Sequence, residues 1–175
     1  MILCTKLLKV KKEEESIDRL AKKISKYLVK INNLSLTDDQ HKLLNHLFYT
    51  VSDIERMGDH AENIAELAEF KVQNNVAFSD AAQKEVEGIM TYVTNSMDYA
   101  IKSRSEMSWE YVQKAKEYED LVDYVESELR EKHIERLITN KCQPSSGVVF
   151  LDLLSNLERI SDHADNIVGY VKKEL

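Results

Sequence analysis

Helix breakers are almost absent from this chain, with 4 Gly and 1 Pro among 175 residues. A backbone so rarely interrupted excludes collagen-like, Gly/Pro-rich and low-complexity architectures, because little stops a helix once it has begun. The few breakers divide the chain cleanly. A first helix is predicted from about Val10 to Asn32, with Ile17, Leu20, Ile24, Leu28 and Ile31 at spacings of three and four. Thr37-Asp-Asp-Gln40 reads as a capping box that opens a second helix reaching about Asn74. Ser79 is expected to cap a third, ending near Arg104, and Ser108 a fourth, reaching about Asn140. Lys141-Cys-Gln-Pro-Ser-Ser-Gly147 is the one clear loop, and a fifth helix follows it to the C-terminus. No alternating apolar pattern is long enough for a strand. The expected fold is all-α: five long antiparallel helices in a single domain over residues 1–175.

The chemistry of the chain narrows its partners. An apolar content of 43% suffices for one buried core. Acidic residues outnumber basic ones by 31 to 24, a net charge of −7, which is the wrong sign for a nucleic-acid binder. Cys4 and Cys142 have no CxxC partner, which fits a reducing cytosol. No apolar run approaches the roughly 20 residues of a membrane span, and Met1-Ile-Leu-Cys4 is too short for a signal peptide. A soluble, cytoplasmic chain is expected.

An internal repeat carries more information than composition. Glu55-Arg-Met-Gly-Asp-His-Ala-Glu-Asn-Ile64 aligns with Glu158-Arg-Ile-Ser-Asp-His-Ala-Asp-Asn-Ile167. Upstream, Leu47 pairs with Phe150, Val51 with Leu154 and Ile54 with Leu157. A weaker match joins Glu14-Glu-Ser-Ile-Asp18 to Glu119-Asp-Leu-Val-Asp123. The chain therefore reads as a duplicated helical unit, with an incomplete first repeat over 10–76 and a second over 79–175. The third helix has no counterpart before the first. The groove left open there should expose apolar surface and favour self-association into a homodimer.

Within each repeat an apolar seam narrows to small residues beside an acidic stripe. The second helix offers Val51, Ile54, Gly58, Ala61, Ala65 and Ala68; the fifth offers Phe150, Leu154, Leu157, Ser161, Ala164, Val168 and Val171. The stripes are Glu55, Asp59 and Glu62, and Glu158, Asp162 and Asp165. Residues four and seven apart share a face, so these carboxylates repel one another unless a cation answers them. Two readings compete. In one, the stripes are solvated faces countered by Arg56 and Arg159. In the other, two carboxylates one turn apart meet two from an adjacent helix and hold a hard cation: Mg²⁺, Mn²⁺ or ferric iron. Repetition of a whole ten-residue block favours the second.

The histidines are weaker candidates. A helical step of roughly 100° turns His60 and His163 away from the stripes, toward hydrogen bonds with a neighbouring helix. His46 and His133 show no partner pattern, and Trp109, near a helix start, is expected to be a core or staple residue. Asn63 and Asn166 are either outer donors to a site or helix-joining residues. Neither the ExxH of di-iron bundles nor a P-loop or nucleophile–base pair is present, so no enzymatic activity is expected.

Asp53-Ile-Glu-Arg-Met-Gly-Asp-His-Ala-Glu-Asn-Ile-Ala65 and Leu157-Glu-Arg-Ile-Ser-Asp-His-Ala-Asp-Asn-Ile167 resemble the paired signatures of PhoU-type domains. Those are bundles of two similar three-helix halves, so the resemblance implies such a pair here with one helix missing at the N-terminus. Tyr27 to Ser35, and Lys141 to Asp152, look like the cytoplasmic PhoU-like tail of bacterial sodium/phosphate cotransporters. The resemblance implies metal ligands at Glu14, Asp18, Glu55 and Asp59, and at Glu119, Asp123, Glu158 and Asp162, with Glu62 and Asp165 as outer candidates. It further implies regulation of phosphate uptake rather than catalysis, through contact with a phosphate transporter at the inner face of the membrane. The alternatives are a stand-alone PhoU-type regulator and a structural interaction module without metal.

Overall fold

Thr37 accepts the Gln40 amide proton at 3.3 Å while the Gln40 side chain accepts from the Thr37 N–H at 2.9 Å, so the capping box forms as the sequence dictates. It opens the second of five helices in a computed structural model: α1 (Ile2–Asn32), α2 (Asp38–Gln73), α3 (Asp80–Glu106), α4 (Trp109–Ile138) and α5 (Pro144–Glu174). Residues 2–175 are described, with side chains from residue 5; Met1 and the Cys4 side chain lie outside the described residues. With glycine so scarce, the stops of α2 and α4 fall to Asn75 and Asn140, whose φ of 53° and 55° reverse the chain in the left-handed region that asparagine tolerates.

Several boundaries differ from the sequence reading. The first helix starts at Ile2, well ahead of Val10, because nothing in residues 2–9 interrupts it. Pro144 begins α5 rather than sitting in a loop through Gly147. Its missing N–H is one that a first turn does not use, and its fixed φ suits that position. Ser79 caps α3 through the Ala82 N–H, whereas Ser108 precedes α4 without a side-chain bond. Trp109 is 47% exposed and lies under the Lys172 ammonium instead of in the core.

The helices pack as a pair joined to a trio. The first packs on α2, α2 on α5, and α3, α4 and α5 on one another. The fifth helix is thus flanked on three sides, and all seven of its seam residues from Phe150 to Val171 are buried. They close a core with Ile89 and Val93 of α3 and Val112, Val122 and Leu129 of α4. Each such burial stabilises by about 1.5–3 kcal/mol. At the narrow point Ser161 donates to Ser96 Oγ at 3.2 Å, both fully buried, so small side chains do bring α3 and α5 together.

On α2 the expected seam holds only in part. Gly58 and Ala65 are buried, and a Cβ at Gly58 would meet Ile17 of α1 at 3.4 Å. Ile54, however, is 39% exposed and Ala61 lies open, while Thr50, Asp53 and Met57 are buried instead. The physical reason is the missing neighbour: only α1 and α5 cover α2, so one side of the seam has nothing to pack on. Leu20, Ile24 and Tyr27 of α1 are likewise exposed. We expect sedimentation to show concentration-dependent self-association that Leu20→Glu with Ile24→Glu weakens. A sharp monomer at every concentration would mean that this face stays solvated.

Candidate metal centre

Both acidic stripes meet a second helix, as the paired repeats demand. On α4 and α5, oxygen atoms of Glu119, Asp123 and Asp162 lie within 4.8 Å of one another. Glu119 is only 6% exposed. Burial pushes its carboxyl above the usual glutamate range, and the charges of Asp123 and Asp165 push the same way. Asp123 is raised by burial and then by Asp162; Glu158 is raised by burial and then by Asp162. Glu119, Asp123 and Glu158 therefore resist ionising together. Repulsion of this kind is relieved by a proton, a basic side chain or a cation.

The α1–α2 cluster is looser. Burial raises the Glu14 carboxyl, with Glu62, Asp18 and Asp59 adding to the effect. Glu55 reaches the same place through the field it exerts on Lys22. Among the described residues, though, only the α4–α5 cluster brings three carboxylate oxygens so close. The difference follows from packing, since α4 and α5 are clamped by α3 while α1 rests on α2 alone.

Lysines answer part of the charge. Lys22 donates to Asp18, and Lys116 donates to Glu119 while lying 3.5 Å from Asp120 and 3.7 Å from Asp165. Those bonds raise the Lys116 ammonium well above its ordinary range. Arg159 sits 3.6 Å from Asp162 and 3.7 Å from Glu158. The sequence reading omitted both lysines, and it omitted Glu126, whose charge also acts on Glu158. Glu126 lies seven residues beyond Glu119 on the same face, so helical spacing held the signal; Ala21 occupies its place in the first repeat.

The donor set fits a hard cation and excludes a soft one. Glu119, Asp123, Glu158 and Asp162 offer oxygen alone, with no imidazole or thiolate in the cluster. Glu14, Asp18, Glu55 and Asp59 are the carboxylates at the equivalent positions of α1 and α2.

The remaining polar residues of the repeat join helices. His60 Nδ1 lies 2.9 Å from Asn156 Oδ1, and Asn63 donates to the same oxygen at 3.2 Å. In mirror fashion His163 Nδ1 lies 2.8 Å from Asp53 Oδ1, and Asn166 donates to it at 3.1 Å. The two imidazoles stack on the pseudo-twofold axis with centroids 5.6 Å apart. Asn63 and Asn166 thus serve the α2–α5 contact rather than a carboxylate cluster. His46, which showed no partner in the sequence, lies 2.9 Å from Glu174. Cys142 comes within 4.0 Å of His133 Nε2. Burial and the Arg136 charge lower the His133 pKa, which opposes any thiolate–imidazolium pair.

The PhoU domain family model matches residues 5–68 and 86–171. The chain belongs to the PhoU domain family. Among its relatives is the phosphate-specific transport system accessory protein PhoU homolog 1 of Thermotoga maritima, 24% identical over 165 residues, covering 91% of this chain and 68% of that protein. PhoU from Pseudomonas aeruginosa superposes with a TM-score of 0.87 at 22% identity, over 94% of this chain and 78% of that one. The phosphate transport system regulatory protein PhoU of Streptococcus pneumoniae gives 0.80 at 16%, over 94% and 76%. These superpositions establish the helical PhoU fold. No described helix is long and apolar enough to cross a membrane.

Proposed function

We propose that this chain is a PhoU-type regulator of phosphate transport, working through protein–protein contacts, whose paired acidic clusters hold hard metal ions. The observation that carries the metal reading is the convergence of Glu119, Asp123 and Asp162 from two helices, repeated in outline by Glu14, Asp18, Asp59 and Glu62. Bound metal would reverse the sign of two acidic faces and so alter which partner surface they accept. The accessory and regulatory proteins among its relatives support this PhoU-type reading over the narrower one of a sodium/phosphate cotransporter tail. The narrower reading rests on short resemblances at 27–35 and 141–152. The partner that fits either is a phosphate transporter or its cytoplasmic face, and a regulatory role requires no turnover.

The test is elemental mass spectrometry on protein purified without chelator or affinity metal. Iron, manganese or magnesium in stoichiometric amount should be lost from the Asp59→Ala/Asp162→Ala variant while helicity survives. Unchanged metal in that variant would remove these residues as ligands. A protein that takes up none of the three ions would leave the stripes as docking surface, with partner affinity falling as salt rises and ignoring chelator.

A further inference from the structure

The helix ends of the second half enclose a cavity of about 250 Å³, separate from both carboxylate clusters and opposite to them in sign. His133 and Arg136 of α4 line it, with Lys141 from the turn and Ser146 from the start of α5. Five buried side-chain atoms among the described residues lack a hydrogen-bond partner, and three of them belong here: His133 Nδ1 and the Nε and Nη2 of Arg136. His133 is 2% exposed, and no protein group among the described residues satisfies its Nδ1.

The free atoms have a usable geometry. Glu85 accepts from Arg136 Nη1 at 2.8 Å, which leaves Nε and Nη2. Those two N–H groups form one edge of the guanidinium, the parallel pair that grips two oxygens of a carboxylate or phosphate. The α5 N-terminus adds to them. Gln143 precedes the helix without a side-chain cap bond, so the first-turn N–H groups of Ser145 and Ser146 lack a capping side chain. Gly147 holds this turn tight to α4: a Cβ there would fall 2.8 Å from Leu137 and 3.2 Å from His133 Nε2. Among the described residues Glu85 is the one carboxylate paired with Arg136, so Arg136 and Lys141 leave the wall positive in a chain of net charge −7.

We propose that this cavity binds a tetrahedral oxyanion, either inorganic phosphate or the phosphoryl end of a small organic phosphate. The Nε–Nη2 edge of Arg136 clamps it, and the α5 first turn, His133 Nδ1 and Lys141 supply further donors. Nothing in this site depends on the metal clusters, so either reading can fail without the other.

The test is an amide-resolved NMR titration of chelator-treated protein with inorganic phosphate at constant ionic strength. Saturable shifts are expected around residues 133–147 and 77–82, with a dissociation constant of about 1 mM or tighter. Sulfate should compete, since the wall offers mainly donors. Arg136→Lys keeps the charge opposite Glu85 but lacks the paired edge, and should weaken binding at least about tenfold. Lys141 is exposed, so Lys141→Ala leaves the fold intact and should weaken binding several-fold. Phenyl phosphate binding tighter than phosphate would assign the site to an organic phosphate, and equal or weaker binding to the free ion. Absence of saturable shifts at these amides, or shifts that persist unchanged in both Arg136→Lys and Lys141→Ala, would overturn the proposal.

Discussion

Chelated protein should melt at a higher temperature near pH 5 than near neutrality, and manganese should reverse that order. The sign follows from the carboxylates. Glu119, Asp123 and Glu158, with Glu14 in the other half, have pKa values raised in the folded state above the ordinary 4.5 of glutamate and 3.8 of aspartate. The native state therefore holds protons that the unfolded chain has released, and stability falls as pH rises through the native values. Acidification toward about pH 5 relieves the repulsion; a bound cation relieves it at neutral pH instead. A ligand at a hundredfold over its dissociation constant adds about 2.7 kcal/mol. At about 2–4 °C per kcal/mol for a domain of this size, calorimetry should register a rise of about 5–10 °C. Asp162→Ala should raise the melting temperature of the chelated protein while abolishing the response of its cluster to manganese. If manganese moved neither protein, Lys116, Lys22 and Arg159 would be counter-charge enough and the clusters would be solvated faces.

The α2 and α5 carboxylates of these clusters were readable from the repeat for a local reason, whereas Glu14, Glu119 and Asp123 came in through the family resemblance. Carboxylates four apart on a helix share a face whatever the rest of the fold does, so Glu55/Asp59 and Glu158/Asp162 could be paired before any tertiary contact was known. The α5 seam was equally legible, since a helix packed on three sides buries whichever stripe is apolar. The same spacing misled on α2: periodicity reports an apolar stripe, but not whether a neighbour exists to cover it, and Ile54 and Ala61 are left open. The oxyanion cavity was illegible for the converse reason. His133 and Arg136 belong to neither of the matched motifs, and Lys141 becomes their neighbour only through the turn that ends at Pro144. Asp53 was visible merely as part of a motif, because its role depends on α5 crossing α2 at one height.

Asp53→Ala should cost about 3 kcal/mol, more than any other exchange in the polar layer between α2 and α5. Asp53 is 6% exposed and accepts from Asn166, with His163 Nδ1 2.8 Å away. The Tyr170 hydroxyl also bonds to it; burial first, and then the Asp53 charge, push that phenol up to about 12. Truncation removes the acceptor shared by half-buried His163 and Tyr170 and by the more open Asn166. The pseudo-twofold equivalent is Asn156, which serves His60 and Asn63 in a more open setting, so Asn156→Ala should cost about 1 kcal/mol. Asp53→Asn makes the two halves of the layer alike. It keeps the acceptor oxygen and discards the charge, so its cost should stay near that of Asn156→Ala. Urea denaturation of the three variants separates the possible causes. Equal losses for Asp53→Ala and Asp53→Asn would make the buried charge the decisive term; a loss confined to Asp53→Ala would make it the acceptor. In either case the folded variants should take up metal in unchanged stoichiometry, because the layer lies about a quarter-turn around α2 and α5 from the carboxylate stripes. Metal lost from a variant that remains folded would mean instead that the α2–α5 crossing positions the ligands directly.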